Sequence, residues 1–221
     1  MSDGVDTPRT AAQWVAAQLE EDIVLGRLHP RERLVEDELM ARFDAKRHVV
    51  REALASLEYV GLVERRRNVG ACVRAFCSRE VMQLYGLRAL LEVEAVRQIT
   101  FPVAQEAVQA LQAIQCQHDA AVQEGNAREV FRINLLFHRA LFALSGNETL
   151  VQAIEEYARQ TYAIRFAGLV ADTYRRQAQH EHWQMIDALR QGDGAALQAL
   201  CAEHLLPSRD AYLQTLRAKE A

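Results

Sequence analysis

The sequence predicts a mainly α-helical protein, with one short β-hairpin in its first half and an all-helical bundle as its second half. Three observations carry this prediction. Gly and Pro are scarce, at 10 and 4 residues in a chain of 221, and a composition rich in Ala, Leu, Gln, Glu and Arg favours helix. Apolar side chains recur at helical spacing along most of the chain. One pair of strand-like segments flanks a stretch that contains Asn and Gly.

Three helices precede the strand-like segments. In the first helix, Val15, Leu19 and Ile23 recur at four-residue spacing, and Gly26 ends the helix. The strand-like segments flank residues 66–70, whose Asn and Gly suit the tip of a hairpin. The predicted elements are helices over residues 10–25, 35–43 and 47–60, followed by strands over 62–65 and 71–74.

The second half of the chain predicts helices only, separated by helix-breaking residues such as Pro102 and Gly192. About six helices of this length form a bundle-type domain. They are predicted over residues 79–100, 103–124, 127–145, 148–170, 172–191 and 194–217. The predicted domain organisation is a disordered tail over 1–9, a first domain over 10–76 and a helical domain over 79–217.

The charge distribution indicates an anionic partner for the first domain. The whole chain carries a formal charge of −4, so it is not a generic polycation. Between Lys46 and Arg74, however, seven Lys and Arg stand against three acids, whereas residues 77–221 carry 14 basic and 17 acidic residues. A basic patch in a mildly acidic chain is typical of proteins that bind nucleic acid.

Three helices followed by a basic hairpin form the pattern of a winged helix-turn-helix. An apolar stripe that starts at Val50 faces inward from the third helix, which leaves a basic face outward. Arginines at the start of such a helix reach base edges and phosphates in the major groove, and a wing tip reaches phosphates or the minor groove. The predicted DNA-binding residues are Lys46, Arg47, His48 and Arg51 around the start of the third helix, and Arg66, Arg67, Asn68 and Gly70 in the hairpin.

Four residues of the second domain share a metal-binding chemistry. Asn134 and His138 are four residues apart and therefore face the same way on one helix, whereas His182 and His204 lie on later helices. Three neutral imidazoles plus one oxygen ligand can hold a divalent transition metal. The sequence contains no short motif such as H-E-x-x-H, so spacing alone leaves each histidine open to an ordinary surface or core role.

Three segments of the first domain resemble the GntR family of bacterial regulators. They cover residues 26–36, 46–54 and 57–65, which match the turn between the first two helices, the start of the recognition helix and the run into the wing. The resemblance implies a DNA-binding transcription regulator. The family usually has Ser before Arg47 and Thr-Pro after it, where this sequence has Lys, His and Val. A phosphate-contacting Arg of some members corresponds to Asp37, so base preference does not transfer.

Residues 79–217 resemble the FCD ligand-binding domain, the helical effector domain of one large GntR subfamily. The matching pieces are Arg88 to Glu92, Phe137-His138 followed by Ser145-Gly146-Asn147, Glu181-His182 leading to Ile186-Ala188 and Gly192-Asp193, and Glu203-His204-Leu205. In that domain a carboxylate and three histidines hold a metal, and the set carries over to Asn134, His138, His182 and His204. Asn134 stands where the family has Asp, and a neutral amide oxygen ligates less strongly. Zinc, nickel and manganese are the candidate metals.

The resemblance further implies a small effector that carries a carboxylate and binds to open positions of the metal inside a helical cavity. Arg88 is a candidate second contact, because arginine pairs carboxylates bidentately. An ion pair with Glu92, at i+4, explains Arg88 equally well. Tyr162 and Arg165 are further candidate effector-binding residues.

The resemblance also implies a homodimer on a partly palindromic operator, with a ligand that relieves repression; activation is the alternative. We expect no enzymatic activity, because no convincing general base other than Glu181 is found. A cytoplasmic location is expected, because no C-x-x-C pair or signal peptide is recognisable. No apolar run approaches the roughly 18 residues of a membrane span. A metal-ion-responsive regulator with the same ligands and a helical metalloenzyme are the alternative functions.

Overall fold

A computed structural model describes residues 10–165 and 172–220 of the chain. The predicted disordered tail over residues 1–9 lies outside the described residues. The chain divides into two compact units between Ala75 and Phe76. Each unit has its own hydrophobic core, as expected for a chain of this length.

The first unit consists of three helices and a two-stranded antiparallel hairpin, which confirms the predicted fold class. The elements are α1 (Ala11–Val24), α2 (Glu36–Phe43), α3 (Arg47–Tyr59), β1 (Val63–Arg66) and β2 (Gly70–Val73). Val63 lies opposite Val73 and Arg66 lies opposite Gly70. Thr10 caps α1 through a capping box with Gln13, which satisfies backbone N–H groups at the helix start.

The α3 helix is buried on one face and exposed on the other. Its buried residues are Val50, Ala53, Leu54 and Leu57, and the helix packs against α1. The spacing of these residues gives an apolar stripe, so the opposite face of α3, which carries Arg47 and Arg51, is exposed to solvent. The core of the first unit thereby fixes the direction in which the basic residues point.

The hairpin is held on its other edge by the segment between α1 and α2. The backbone N–H of Leu34 donates to Ala71 O at 2.8 Å, and the N–H of Val73 donates to Glu32 O at 2.9 Å. This pairing was not predicted, because residues 31–34 show no alternating strand pattern. At the hairpin tip, Asn68 and Gly70 have φ angles of 64° and 96°, a left-handed region that suits Gly and Asn.

The second unit is an all-helical bundle. Its helices are α4 (Ser78–Arg97), α5 (Gln105–Gln123), α6 (Ala127–Ala143), α7 (Glu148–Gln160), α8 (Asp172–Gln191), α9 (Gly194–His204) and α10 (Leu206–Glu220). Residues 162–165 are also helical. The α4 helix packs against α7, α9 and α10, whereas α5 packs against α6 and α8. The largest fully buried side chains of this core are Leu111, Phe137, Leu141, Ile164, Met185, Ile186 and Leu189.

Two predicted helices are interrupted. The helix predicted over 148–170 breaks at Thr161. The Thr161 hydroxyl donates to Ala158 O at 2.7 Å and so competes with the backbone hydrogen bonds of the helix. Residues 166–170 of the predicted helix lie outside the described residues. The helix predicted over 194–217 breaks at Leu205. Pro207 follows and has no N–H to continue the helical hydrogen bonds. Apolar periodicity persists through both breaks, which is why the sequence did not reveal them.

Cysteine chemistry contributes no crosslink to either unit. Cys72 and Cys201 are buried free thiols, and Cys77 and Cys116 are exposed free thiols. Burial raises the pKa of the Cys201 thiol well above its usual range. Among the described helices, none combines the length and the apolar character needed to cross a membrane.

Candidate functional site

Three of the four predicted metal ligands meet in the interior of the helical unit. His138 on α6, His182 on α8 and His204 on α9 each place a ring nitrogen so that these atoms all lie within 4.8 Å of one another. Nε2 of His138 is 3.1 Å from Nε2 of His204. Phe137 stacks on the His182 ring with centroids 4.1 Å apart. Residues that are 66 positions apart in sequence are thus brought together by the packing of the bundle.

Two neighbouring side chains orient two of the rings. Nδ1 of His182 lies 2.8 Å from Oε1 of Gln115, and Nδ1 of His204 lies 2.5 Å from Oε2 of Glu181. Because both oxygens accept, each Nδ1 donates its proton, and in the neutral His182 ring this leaves Nε2 with a lone pair. Metal-ligating histidines show the same arrangement, in which the far nitrogen donates to a carboxylate or carbonyl. Nε2 of His182 is buried and has no hydrogen-bond partner in the described chain.

Burial keeps the imidazoles of His138, His182 and His118 neutral. Desolvation first, and the neighbouring His204 second, hold the pKa values of His138 and His182 well below the usual histidine value. Desolvation also lowers the pKa of His118 to about 4. Neutral imidazole is the form that ligates a metal, so His138 and His182 do not have to lose a proton to bind a cation at neutral pH.

Asn134 lies at the same cavity as the histidines. It sits one helical turn before His138 on α6, is buried, and lines a cavity with His138 and His204. Its Nδ2 has no hydrogen-bond partner in the described part of the chain. An amide supplies a neutral oxygen, so a cation here would lack the charge compensation of a carboxylate ligand.

Three polar residues beside the cluster were not among the predicted site residues. Gln115 and His118 are buried on α5, and Glu181 is largely buried on α8. The His118 ring lies 5.1 Å from the His182 ring, and its Nε2 has no partner among the described residues. A signal was present in the sequence, because Gln115 and His118 continue the buried stripe of Val108 and Leu111 at helical spacing.

The predicted effector-binding residues do not all line one cavity. Arg88 and Arg165 line the cavity of the histidines, whereas Tyr162 lines a second one, together with Arg88 and His138. Arg88 is buried and forms an ion pair with Glu92 at 2.8 Å, so the ion pair that the sequence left open is present. Its NH1 also donates to the Thr161 hydroxyl at 3.1 Å.

Arg165 has no such direct ion pair. Its guanidinium lies over the Phe131 ring at 5.5 Å from the centroid, and no hydrogen-bond or ion-pair partner is found within residues 10–165 and 172–220. Burial first, and then the charge of Arg88, lower the pKa of Arg165, while the more distant charge of Glu92 acts in the opposite direction. Two guanidinium groups at one cavity, one of them without a direct ion pair, favour an anionic ligand there.

The predicted DNA-binding residues lie on the surface of the first unit. Residues 46–48 and 51 are exposed around the start of α3, and residues 66–68 and 70 are exposed on the hairpin. Arg47 NH2 lies 2.6 Å from Oδ1 of Asp37, and Arg51 Nε lies 2.9 Å from Oε2 of Glu36. The helix start and the hairpin therefore both present arginine, and the two arginines of α3 are partly neutralised by acids of α2.

Comparison with known proteins identifies both units. Residues 11–73 match the family of bacterial regulatory proteins named gntR, and residues 83–206 match the FCD domain. The chain belongs to the GntR family, in the branch that carries an FCD domain. It is a DNA-binding transcription regulator of the GntR/FCD type, as the sequence resemblance predicted.

Individual relatives agree with this assignment. The GntR/FCD protein is 28% identical to the Nta operon transcriptional regulator of Aminobacter aminovorans over 85% of this chain and 88% of that one. It is 23% identical to the HTH-type transcriptional repressor RspR of Escherichia coli K12, over 87% and 85% of the two chains. The E. coli McbR/YncC structure is similar in fold, with a TM-score of 0.78 at 20% identity, and the match covers 94% of this chain and 99% of that one.

The burial of His118 predicts a pH dependence of stability in metal-free protein. Below the ordinary histidine value of 6.5 the unfolded chain binds a proton at this residue, whereas the folded chain does so only near a pKa of about 4. The free energy of unfolding should therefore fall as pH drops through this window, and His118→Gln should make the fall shallower. Thermal unfolding in chelator measures this. His180→Gln, which changes an exposed histidine, is the control, and identical pH slopes for wild type and H118Q would contradict the prediction.

Proposed function

We propose that this GntR/FCD regulator is a repressor whose operator binding is controlled by a small carboxylate effector, bound at or beside a divalent transition metal in the helical unit. In this proposal residues 10–76 form the DNA-binding domain and residues 79–217 the effector domain. The observation that carries it is the group of His138, His182 and His204, with ring nitrogens within 4.8 Å of one another. The name of the relative RspR supports repression over activation.

The metal would be held by Nε2 of the three histidines, with the Asn134 amide oxygen as the fourth ligand. The residues fit such an ion, because Nε2 of His182 is a buried nitrogen without a partner in the described chain, and Gln115 and Glu181 hold the far nitrogens of two rings. A nitrogen-rich set favours zinc or nickel over manganese. The bound cation would supply positive charge to an effector carboxylate.

The effector would lie in the cavity that Arg165 and the histidines line. Arg165 supports an anionic ligand, because its charge has no partner in the described chain. The charge of Arg88 is already paired with Glu92, so Arg88 would orient the effector more than it would attract it electrostatically. Tyr162 lines the adjoining second cavity, whose wall includes the apolar side chains Leu135 and Ile154, and would contact an apolar part of the effector.

On DNA, α3 would enter the major groove and the hairpin would lie along the backbone. Lys46, Arg47, His48 and Arg51 would contact base edges and nearby phosphates, and Arg66, Arg67, Asn68 and Gly70 would contact phosphates or the minor groove. The left-handed backbone at Gly70 admits glycine without strain, and open space surrounds it, so the hairpin backbone can approach a phosphate closely.

A homodimer would place two such units on two half-sites. One exposed face of α4 supports a second copy as its partner, because Met82 and Leu90 are exposed to 50% and 71% and Gly86 lies between them at four-residue spacing. A side chain at Gly86 would meet nothing within 4 Å. Large exposed apolar residues of this kind mark interaction surfaces, and a two-fold axis would pair the face with itself.

The remaining alternatives use the same residues differently. As a metal-ion-responsive regulator, the protein would release DNA on metal binding without any acid. As a metalloenzyme, it would need a free general base, yet Glu181 is held by Nδ1 of His204 at 2.5 Å. We therefore keep the non-enzymatic regulator, acting in the cytoplasm where bacterial DNA lies, as the proposed function.

Metal dependence is the first test. Purified protein is analysed for bound metal, and its thermal unfolding is then followed with organic acids in metal-loaded and chelator-stripped samples. Near-stoichiometric metal is expected, with acids raising the midpoint only in loaded protein, because the cation supplies the charge that a carboxylate needs. His182→Ala should abolish both effects, whereas His180→Ala, which changes an exposed neighbour on the same helix, should retain them.

The other outcomes separate the alternatives. Acid stabilisation of stripped protein would contradict the metal-bridged site and leave Arg165 as the anchor. Release of DNA by metal alone would support the metal-ion-responsive regulator. Asn134→Asp should tighten metal binding, because a carboxylate compensates the charge of the cation, and an unchanged affinity would show that this position is not a ligand.

The DNA surface predicts two distinct mutant behaviours. Arg47→Ala should cost about 1–3 kcal/mol of binding free energy on a duplex selected by the wild-type protein and relax the base preference. Arg67→Ala should instead weaken binding to all sequences and reduce the magnitude of the slope of log affinity against log salt concentration by about one. Fluorescence anisotropy over a salt series measures both. Arg132→Ala, an exposed arginine of α6, is the control, and equal losses for all three variants would refute the assignment.

The α4 face predicts a change in oligomeric state. Leu90→Glu should shift the protein from dimer to monomer in light scattering after gel filtration and weaken operator binding, because a buried charge disrupts an apolar interface. Gln83→Glu adds the same charge to an exposed position of the same helix and should leave the dimer intact. A dimer that persists in L90E would place the interface elsewhere.

A further inference from the structure

The arginines proposed to contact DNA are already paired with carboxylates of their own unit. Arg47 is bound by Asp37 at 2.6 Å, and Arg51 by Glu36 at 2.9 Å. On the hairpin, Arg66 NH2 lies 2.6 Å from Oε1 of Glu64. The surface therefore offers an approaching phosphate backbone less positive charge than its number of arginines suggests.

Asp37 is the acid placed most directly in competition with DNA. Its side chain is 74% exposed, whereas that of Glu36 is only 24% exposed. Both belong to the first turn of α2, where the positive end of the helix dipole stabilises carboxylates. The pair of Asp37 with Arg47 is an exposed ion pair, which contributes roughly 0–1 kcal/mol and can therefore be exchanged for another anion.

We propose that Asp37 is an autoinhibitory residue that competes with DNA for Arg47 and so lowers the affinity of the protein for DNA. On random DNA, Arg47 would exchange a carboxylate for a phosphate and gain little, while Asp37 repels the backbone. On the operator, Arg47 would leave Asp37 for a bidentate contact with a base, which random DNA does not offer at that position. The pair with Asp37 has to be given up before Arg47 contacts either kind of DNA. This inference rests on the proposed placement of Arg47 in the major groove.

The test compares two variants that remove the same charge from the same helical turn. Asp37→Asn removes the nearer of the two carboxylates paired with Arg47 and leaves Glu36, whose Oε2 is 3.7 Å from the guanidinium. Glu38→Gln removes an exposed carboxylate that forms no ion pair within the described chain. Binding to a duplex of random sequence is followed by fluorescence anisotropy over a salt series. We expect D37N to bind about three- to tenfold more tightly at low salt, with a salt slope steeper by about one phosphate contact. E38Q should change affinity less than about twofold, because exposed unpaired charges are screened.

A double-mutant cycle shows whether Asp37 acts through Arg47. In an Arg47→Gln background, D37N should have no larger effect than E38Q. If R47Q alone leaves binding to random and selected duplexes unchanged, the proposed placement of Arg47 fails. If R47Q weakens binding but D37N and E38Q behave alike, the role of Asp37 is overturned while the DNA surface stands. Circular dichroism confirms that each variant is folded.

The same comparison is then made on a duplex that the wild-type protein selects from a random library. D37N should bind this duplex more tightly by at least the factor found for random DNA, because Arg47 gives up the carboxylate in both complexes. A gain on random DNA without a gain on the selected duplex would overturn the claim that Arg47 leaves Asp37 to contact the operator.

Discussion

The packing of three imidazole rings against one another, one of them buried and two half-buried, is the constraint on which much of the helical unit depends. A buried polar group that lacks a hydrogen bond costs about 1–3 kcal/mol, and each ring brings two nitrogens. Gln115 and Glu181 satisfy the far nitrogens of His182 and His204, so α5 and α8 must carry polar residues within their packed faces. Nε2 of His138 and Nε2 of His204 share a hydrogen bond at 3.1 Å, whereas Nε2 of His182 has no partner in the described chain, and a bound cation would satisfy all three.

The sequence predicted the parts of the structure that depend on local pattern. The fold class and the buried apolar stripe of α3, which includes Leu54, follow from periodicity and composition alone. The contacts of Gln115 with His182 and of Arg88 with Thr161 join residues that are 67 and 73 positions apart, and no local signal encodes such distances. The breaks at Thr161 and Leu205 were missed for a related reason, because side-chain hydrogen bonding and a following proline act without disturbing apolar spacing.

The two candidate sites handle charge in opposite ways. In the first unit, arginines sit at the surface and exchange partners at little cost, since exposed ion pairs are worth roughly 0–1 kcal/mol. In the second, Arg88 is buried with its partner Glu92, and breaking such a pair costs several kcal/mol. Surface pairs therefore suit a function that changes partners, whereas the buried pair suits a rigid wall beside which a ligand is sensed.

Asn134 couples the proposed metal to the proposed effector. An acid at this position would offset part of the charge of a divalent cation, but a neutral amide offsets none of it, and Arg165 adds a further positive charge to the same cavity. A carboxylate effector would then complete the charge balance. Because linkage is reciprocal, an anion that strengthens metal binding must itself bind more tightly when metal is present. The neutral amide thus favours a site in which metal and effector bind together, and the carboxylate of N134D would weaken that mutual dependence.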